Sequence, residues 1–410
     1  MRLITMLDRN RIKIKMRASS FCLKEVLLYA SVAIAAALLL FIGNRAVGKD
    51  VAFYNGTEIG PRMEKGKVVE IADEEVYERV NSSGKTVRDV DLLLKVKMLS
   101  GENRGETVEA MQSLRYTVGA VNRMTKPSEV GDKVLIRFVS EEAEPQWQFV
   151  QLIRTDKLLV LAIVLFVILI VFGRIKGIQI LISIGFTCSA VFLFFVPSIL
   201  AGVNIYLSSV LVCVFSIATT FLIVNGFHKK TLCAGVGALS GIAASGLLSL
   251  LMNAYMSMSG YLSESSLELT YLDTAEPIDL RAILFAAVLI GALGVIMDVS
   301  MSIASSMWEL KESSPDSGFR SLFRSGLNIG RDITGTMANT LILAYIGGSL
   351  TEVLLLITAN TSLSYLLNRE VVVAEILQTL IGVFSILFTI PLTALICALL
   401  YTKNKSKYER

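Results

Sequence analysis

The sequence predicts a polytopic α-helical membrane bundle of about eight transmembrane helices with a small all-β, OB-like extracytoplasmic domain. Three observations lead to that fold. Of 410 residues, 53% are hydrophobic and only 18% are charged, whereas soluble chains carry roughly a quarter charged residues. Apolar runs long enough to cross a bilayer recur along the chain. Between the first two runs lies a polar stretch whose apolar residues alternate, the period of a half-buried strand.

Residues 1–25 are expected to form a basic cytoplasmic N-terminus, because over Met1–Lys24 the residues Arg2, Arg9, Arg11, Lys13, Lys15, Arg17 and Lys24 stand against Asp8 alone. Residues 26–43 hold the first anchor, built on Val26–Ile42. Gly-Asn-Arg-Ala-Val-Gly follows that run instead of an A-x-A cleavage site, so a retained anchor is expected and not a removed signal peptide. Seven further helices fall within 158–402: Leu158–Phe172, Gly177–Ala201, Ile205–Asn225, Leu232–Asn253, Ala282–Ser305, Ile333–Ile346 and Val371–Tyr401. Leu350–Ala359 is too short to cross alone, and either extends the preceding helix or lies at the interface. Eight crossings put Arg174, Lys176, His228-Lys229-Lys230, the Trp308–Asp332 loop and the basic tail 403–410 on the cytoplasmic side. The acidic loop Tyr255–Leu280 then lies outside. A multi-pass protein of the cell membrane with both termini cytoplasmic is the expectation.

Residues 44–157 form the extracytoplasmic domain. Lys67–Ile71, Asp89–Leu99, Glu106–Gln112, Lys133–Val139 and Gln146–Ile153 read as strands, with Val90, Leu92, Leu94, Val96 and Met98 on one side of the second. Five short strands in about a hundred residues suggest a small barrel of OB type, a shape that implies no ligand by itself. Its mixed charge leaves no footprint for nucleic acid.

Polar residues inside the membrane carry the functional reading. Asp298, Ser302, Ser305 and Glu309 are spaced four, three and four apart, so a helix aligns them on one face. Counted from Ala282, Asp298 lies about 24 Å into the bilayer, where an ionisable group ordinarily faces protein or water. It serves either as an ion-coupling carboxylate, with the serines continuing a polar path, or as a packing acid paired with Arg331; Asp332 is its ionic neighbour. Asn339 is within reach of the same stripe. Residues 312–332 read as an amphipathic cytoplasmic segment whose Arg320 and Arg324 face lipid headgroups. Gly237 and Gly241, with Ala234 and Ser245, make a small-residue face for helix packing, and Gly291 and Gly294 are packing positions on the Asp298 helix. Pro197 and Pro391 are expected to mark kinks. His228 is the only histidine and the five cysteines are scattered, so no metal site is expected. Neither a phosphate-binding Gly-x-x-x-x-Gly-Lys loop nor a protease or hydrolase signature is present, and the expectation is no cofactor and no enzyme.

Two long blocks look familiar: Gly291-Ala-Leu-Gly-Val-Ile-Met-Asp-Val-Ser-Met-Ser-Ile-Ala-Ser-Ser306, and Leu322-Phe-Arg-Ser-Gly-Leu-Asn-Ile-Gly-Arg-Asp-Ile-Thr-Gly-Thr-Met-Ala-Asn-Thr-Leu-Ile-Leu-Ala-Tyr-Ile-Gly. With Gly173-Arg-Ile-Lys-Gly177 and the Leu-Ser-Gly-x-x-x-Gly turn of the β domain, the chain resembles the YibE/F family of multi-spanning bacterial membrane proteins, whose function is uncharacterised. It is also similar, more faintly, to half-units of SecD/SecF and the RND permeases, through Gly294-x-x-x-Asp298. That likeness implies a proton-linked carboxylate at Asp298, although Glu309 falls later than the acidic position in the Sec proteins. The expected function is a permease or export-assisting transporter that uses an intramembrane carboxylate. The alternative is a non-transporting assembly protein with a partner-docking β domain. The lipid bilayer is the expected environment, and a related membrane subunit or a second copy the expected partner.

Overall fold

The computed structural model describes residues 29–47, 63–80, 86–114, 126–140, 146–272, 274, 276–358 and 362–402. The basic N-terminus (1–25) and tail (403–410) lie outside the described residues, as do 26–28 of the first anchor. Two compact units emerge, Ala52–Val171 and the remainder of the chain.

In the first unit, β1 (Met63–Val80), β2 (Thr86–Met98), β3 (Thr107–Leu114), β4 (Lys133–Phe138) and β5 (Trp147–Leu152) close a barrel in the order β1-β2-β3-β5-β4. All pairings are antiparallel except β3 with β5. The alternating residues of β2 point inward as their period demands: Val90, Leu92, Leu94, Val96 and Met98 are buried, together with Val68, Leu114, Ile136 and Trp147. Gly101 (φ 82°) and Gly105 (φ 98°) turn the chain from β2 into β3 with left-handed backbone that a side chain would strain. β1 is far longer than the expected Lys67–Ile71, because it continues through an acidic stretch that periodicity alone reads as loop. Helix α2 (Thr155–Gly173) follows; it is wholly apolar after Lys157, and none of its residues is buried.

The second unit is helical. It contains α1 (Tyr29–Val47), α3 (Ile175–Ala190), α4 (Val196–Leu200), α5 (Ile205–Asn225), α6 (Lys229–Tyr255), α7 (Glu264–Thr270), α8 (Leu280–Ser313), α9 (Phe319–Gly348), α10 (Leu350–Thr358), α11 (Leu363–Leu367) and α12 (Glu370–Thr402). A π-helical stretch, Val191–Phe195, joins α3 to α4 just ahead of Pro197, which has no N–H to continue the ladder. Pro391 sits inside α12.

Against the eight spans expected, seven helices among the described residues are long and apolar enough to cross a membrane: Tyr29–Val47, Thr155–Gly173, Ile175–Leu200, Ile205–Asn225, Lys229–Tyr255, Leu280–Ser313 and Glu370–Thr402. The chain is thus a multi-pass membrane protein. The helix outside that set is α9. Its expected amphipathic and spanning halves form one continuous rod, and Arg331, Asp332, Thr334, Thr336, Asn339 and Thr340 dilute its apolar character. Leu350–Thr358 is a separate helix after a break at Ser349, so it does not extend α9.

Helices α6, α8, α9 and α12 share one core, in which Leu289, Ala292, Ile296, Val299, Ile303 and Met307 of α8 are buried along a single stripe. Small residues allow the close approach. Gly326 of α9 lies against Met307 and Ala394, Gly330 against Ile390, and Gly382 of α12 against Leu341. Where α12 begins, the Glu370 carboxylate is held by three hydrogen bonds of 2.6 Å, from the Ser259 N–H, the Ser259 hydroxyl and the Gly260 N–H. This clamp ties the loop after α6 to α12, and Gly260 meets it with φ 87° while packed on the Leu280 backbone.

Candidate functional site

Two polar features run along the membrane helices, one on an exposed face and one within the core. The first is the stripe expected from the sequence. Because the apolar stripe of α8 turns inward, its polar stripe turns out: Asp298, Ser302 and Glu309 are exposed and Ser305 is half-buried. On α9, Arg320, Arg324, Arg331, Asp332 and Asn339 are exposed as well. Gly291 carries the Tyr345 hydroxyl 2.5 Å from where a Cβ would sit, whereas Gly294 opens onto free space.

The structure does not bring Asp298 and Arg331 together; among the described residues neither takes part in an ion pair or a side-chain hydrogen bond. Helix register explains the separation. Gly291 lies beside Tyr345 and Gly326 beside Met307, so α8 and α9 run antiparallel with Asp298 level with the middle of α9. Arg331 is then offset along the axis by about five residues, or roughly 8 Å. Side chains lean towards the N-terminus of their own helix, which carries these two further apart. Asn339 likewise makes no hydrogen bond to the stripe among the described residues.

The second feature is a seam between α6 and α12 that sequence reading recognised on one helix only. At successive turns it joins Cys233 to Cys397, Gly237 to Thr393, Gly241 to Thr389 and Ser245 to Ser385. A Cβ on Gly237 or Gly241 would run into the facing threonine. The Ser385 hydroxyl donates to the Ile381 carbonyl (2.6 Å) and accepts from Ser245 (2.6 Å). Thr389 returns its hydrogen to the Ser385 carbonyl (2.6 Å). The Cys233 and Cys397 thiols are neighbours, and the Tyr401 hydroxyl beside them donates to the Ala304 carbonyl (3.0 Å). The Thr393, Ser249 and Thr231 hydroxyls are buried without a hydrogen-bond partner among the described residues. The signal for this seam was present: Ser385, Thr389, Thr393 and Cys397 recur every fourth residue in α12.

Among the described residues, no group of three or more His, Cys, Asp or Glu side chains could hold a metal ion. The seam is lined by hydroxyls and thiols, whereas Asp298, Glu309, Arg324 and Arg331 are exposed on α8 and α9.

A family model described as YibE/F-like protein matches residues 161–403, a region that contains α3 to α12 and both polar features. No curated protein matches the chain, and no solved structure does. A match over more than half of the chain carries the conclusion: the protein belongs to the YibE/F-like family.

Proposed function

We propose that the protein is a permease or export-assisting transporter whose path is lined by the outer polar face of α8 and α9 and closed by a neighbouring subunit. One observation carries this reading. Asp298 is exposed and without an ion-pair partner among the described residues, on a helix of transmembrane length and composition. Facing lipid would cost a carboxylate on such a helix several kcal/mol, so it meets water or protein instead. Ser302, Ser305 and Glu309 extend the face on α8, and Arg331, Asp332 and Asn339 extend it on α9. Water held between two such faces supplies both needs at once.

In this reading α9 is an eighth crossing. From Gly326 beside Met307 to Tyr345 beside Gly291 it rises about 29 Å, close to the thickness of a hydrocarbon core. Eight crossings keep both termini cytoplasmic and put the barrel outside. The barrel's order, with its single parallel pairing between β3 and β5, supports the OB-like type. The role is transport and not catalysis, with a second copy or a related subunit as the neighbour.

Flux of protons or monovalent cations in proteoliposomes tests the reading. Asp298→Asn is expected to reduce flux to background while membrane level and thermal midpoint stay near those of the wild type. Undiminished flux in Asp298→Asn would remove the carboxylate from the path.

A further inference from the structure

The barrel carries a feature that no transport path uses. β1 pairs with β4 only from Met63 to Lys67, and the Gly131–Asp132 turn closes over Val68. Beyond that point β1 continues to Val80, bonded to β2 on one side alone among the described residues. In a ladder, alternate residues direct their N–H and C=O away from the bonded partner. Among the described residues the stretch Val69–Val76 thus offers an edge of about eight residues, roughly 25 Å long, in which the Glu74 N–H donates to the Asp73 carboxylate (2.8 Å) and bulges fall at Val68/Glu70 and Ile71/Asp73. Every residue in it is exposed, including Val69 (49%), Ile71 (38%) and Val76 (44%).

Its charge is one-sided. Glu70, Asp73, Glu74 and Glu75 fall within the stretch and Glu78 just after it, with no Lys or Arg from Val69 to Glu78. Glu70 has a cation to hand in Lys95 of β2 (3.0 Å). Carboxylates on an edge strand discourage pairing with an identical strand, since like charges would then face one another. They attract a strand of opposite charge.

We infer that the free edge of β1 is a docking site for a basic, extended segment of another protein, which adds to the barrel as a further antiparallel or parallel strand. Backbone hydrogen bonds supply the affinity in this mode, and the flanking side chains supply the choice of partner. Alternating Lys and β-branched residues would meet the acids along the edge and cover Val69, Ile71 and Val76.

Full-length protein in detergent, titrated with a fluorescent peptide of alternating Lys and Val about eight residues long, tests the inference. Saturable binding is expected. The triple reversal Asp73→Lys, Glu74→Lys, Glu75→Lys is expected to weaken it about tenfold or more. A peptide N-methylated at alternate residues keeps its charge but loses one row of donors, and is expected to bind wild-type protein at least about tenfold more weakly. Equal binding of the methylated and parent peptides would overturn strand addition, leaving charge attraction alone. Absence of binding by the parent peptide would overturn the site altogether.

Discussion

Gly241→Leu is expected to leave little properly folded protein. Gly241 faces Thr389 so closely that even a methyl group would collide with the threonine hydroxyl, and Ile296 of α8 closes the same space from the other side. Both neighbours belong to helices packed along most of their length, so neither can retreat without parting the seam. Overpacking a close-packed interior costs about 1–3 kcal/mol per site, and a leucine wedged against the Thr389 and Ile296 side chains falls at or above the upper end. The thermal midpoint of the detergent-solubilised protein should drop sharply, and most of the material should elute as aggregate. Gly294→Leu is the informative companion. It changes the same residue type on a neighbouring helix, at a position with nothing within 4 Å of the added carbon. Its midpoint should match the wild type within error. A Gly241→Leu protein as stable as Gly294→Leu would mean that α6 and α12 are not held this closely.

Glu370→Ala is expected to cost about 3 kcal/mol, through the loss of charge-assisted hydrogen bonds and the stranding of two backbone N–H groups. Glu370→Gln separates charge from geometry. Its amide oxygen can still accept from the Ser259 and Gly260 N–H groups, and its amide nitrogen can donate to the Ser259 hydroxyl. The Gln variant should therefore lose less than half of what the Ala variant loses, read as midpoints of unfolding in detergent. Equal losses in the two variants would assign the effect to the negative charge alone.

Spans were legible in the sequence wherever burial and lipid exposure both require apolar residues. Ile205–Asn225 has the bounds the apolar run suggests, and the other strongly apolar spans shift by a few residues. β2 was legible because one face is packed and the other solvated, which imposes alternation. The far half of β1 was not, because an exposed ribbon has no apolar face to announce itself. The spacing of Asp298, Ser302 and Glu309 makes one helix face legible, but not the side to which that face turns. Within a bilayer both the core and the lipid are apolar, so periodicity reveals a polar face without revealing which way it turns. The decisive clue lies in size: Ala292, Val299 and Ala304 on α8, and Gly326 and Gly330 on α9, form the sides that allow close approach. The Glu370 clamp joins residues about a hundred positions apart, and no local pattern encodes it.

The seam of α6 and α12 also determines what kind of force can act on this bundle. From Cys233 to Ser245 and from Ser385 to Cys397 it contains no carboxylate, ammonium or guanidinium. A membrane voltage exerts about 2.3 kcal/mol on each elementary charge per 100 mV, and nothing on an uncharged contact. The α6–α12 pair is in that sense an insulator, held by short-range fit that neither voltage nor ionic strength weakens. Beyond the seam, electrical work can be done on charged side chains such as Asp298, Glu309, Arg324 and Arg331, which are exposed on α8 and α9.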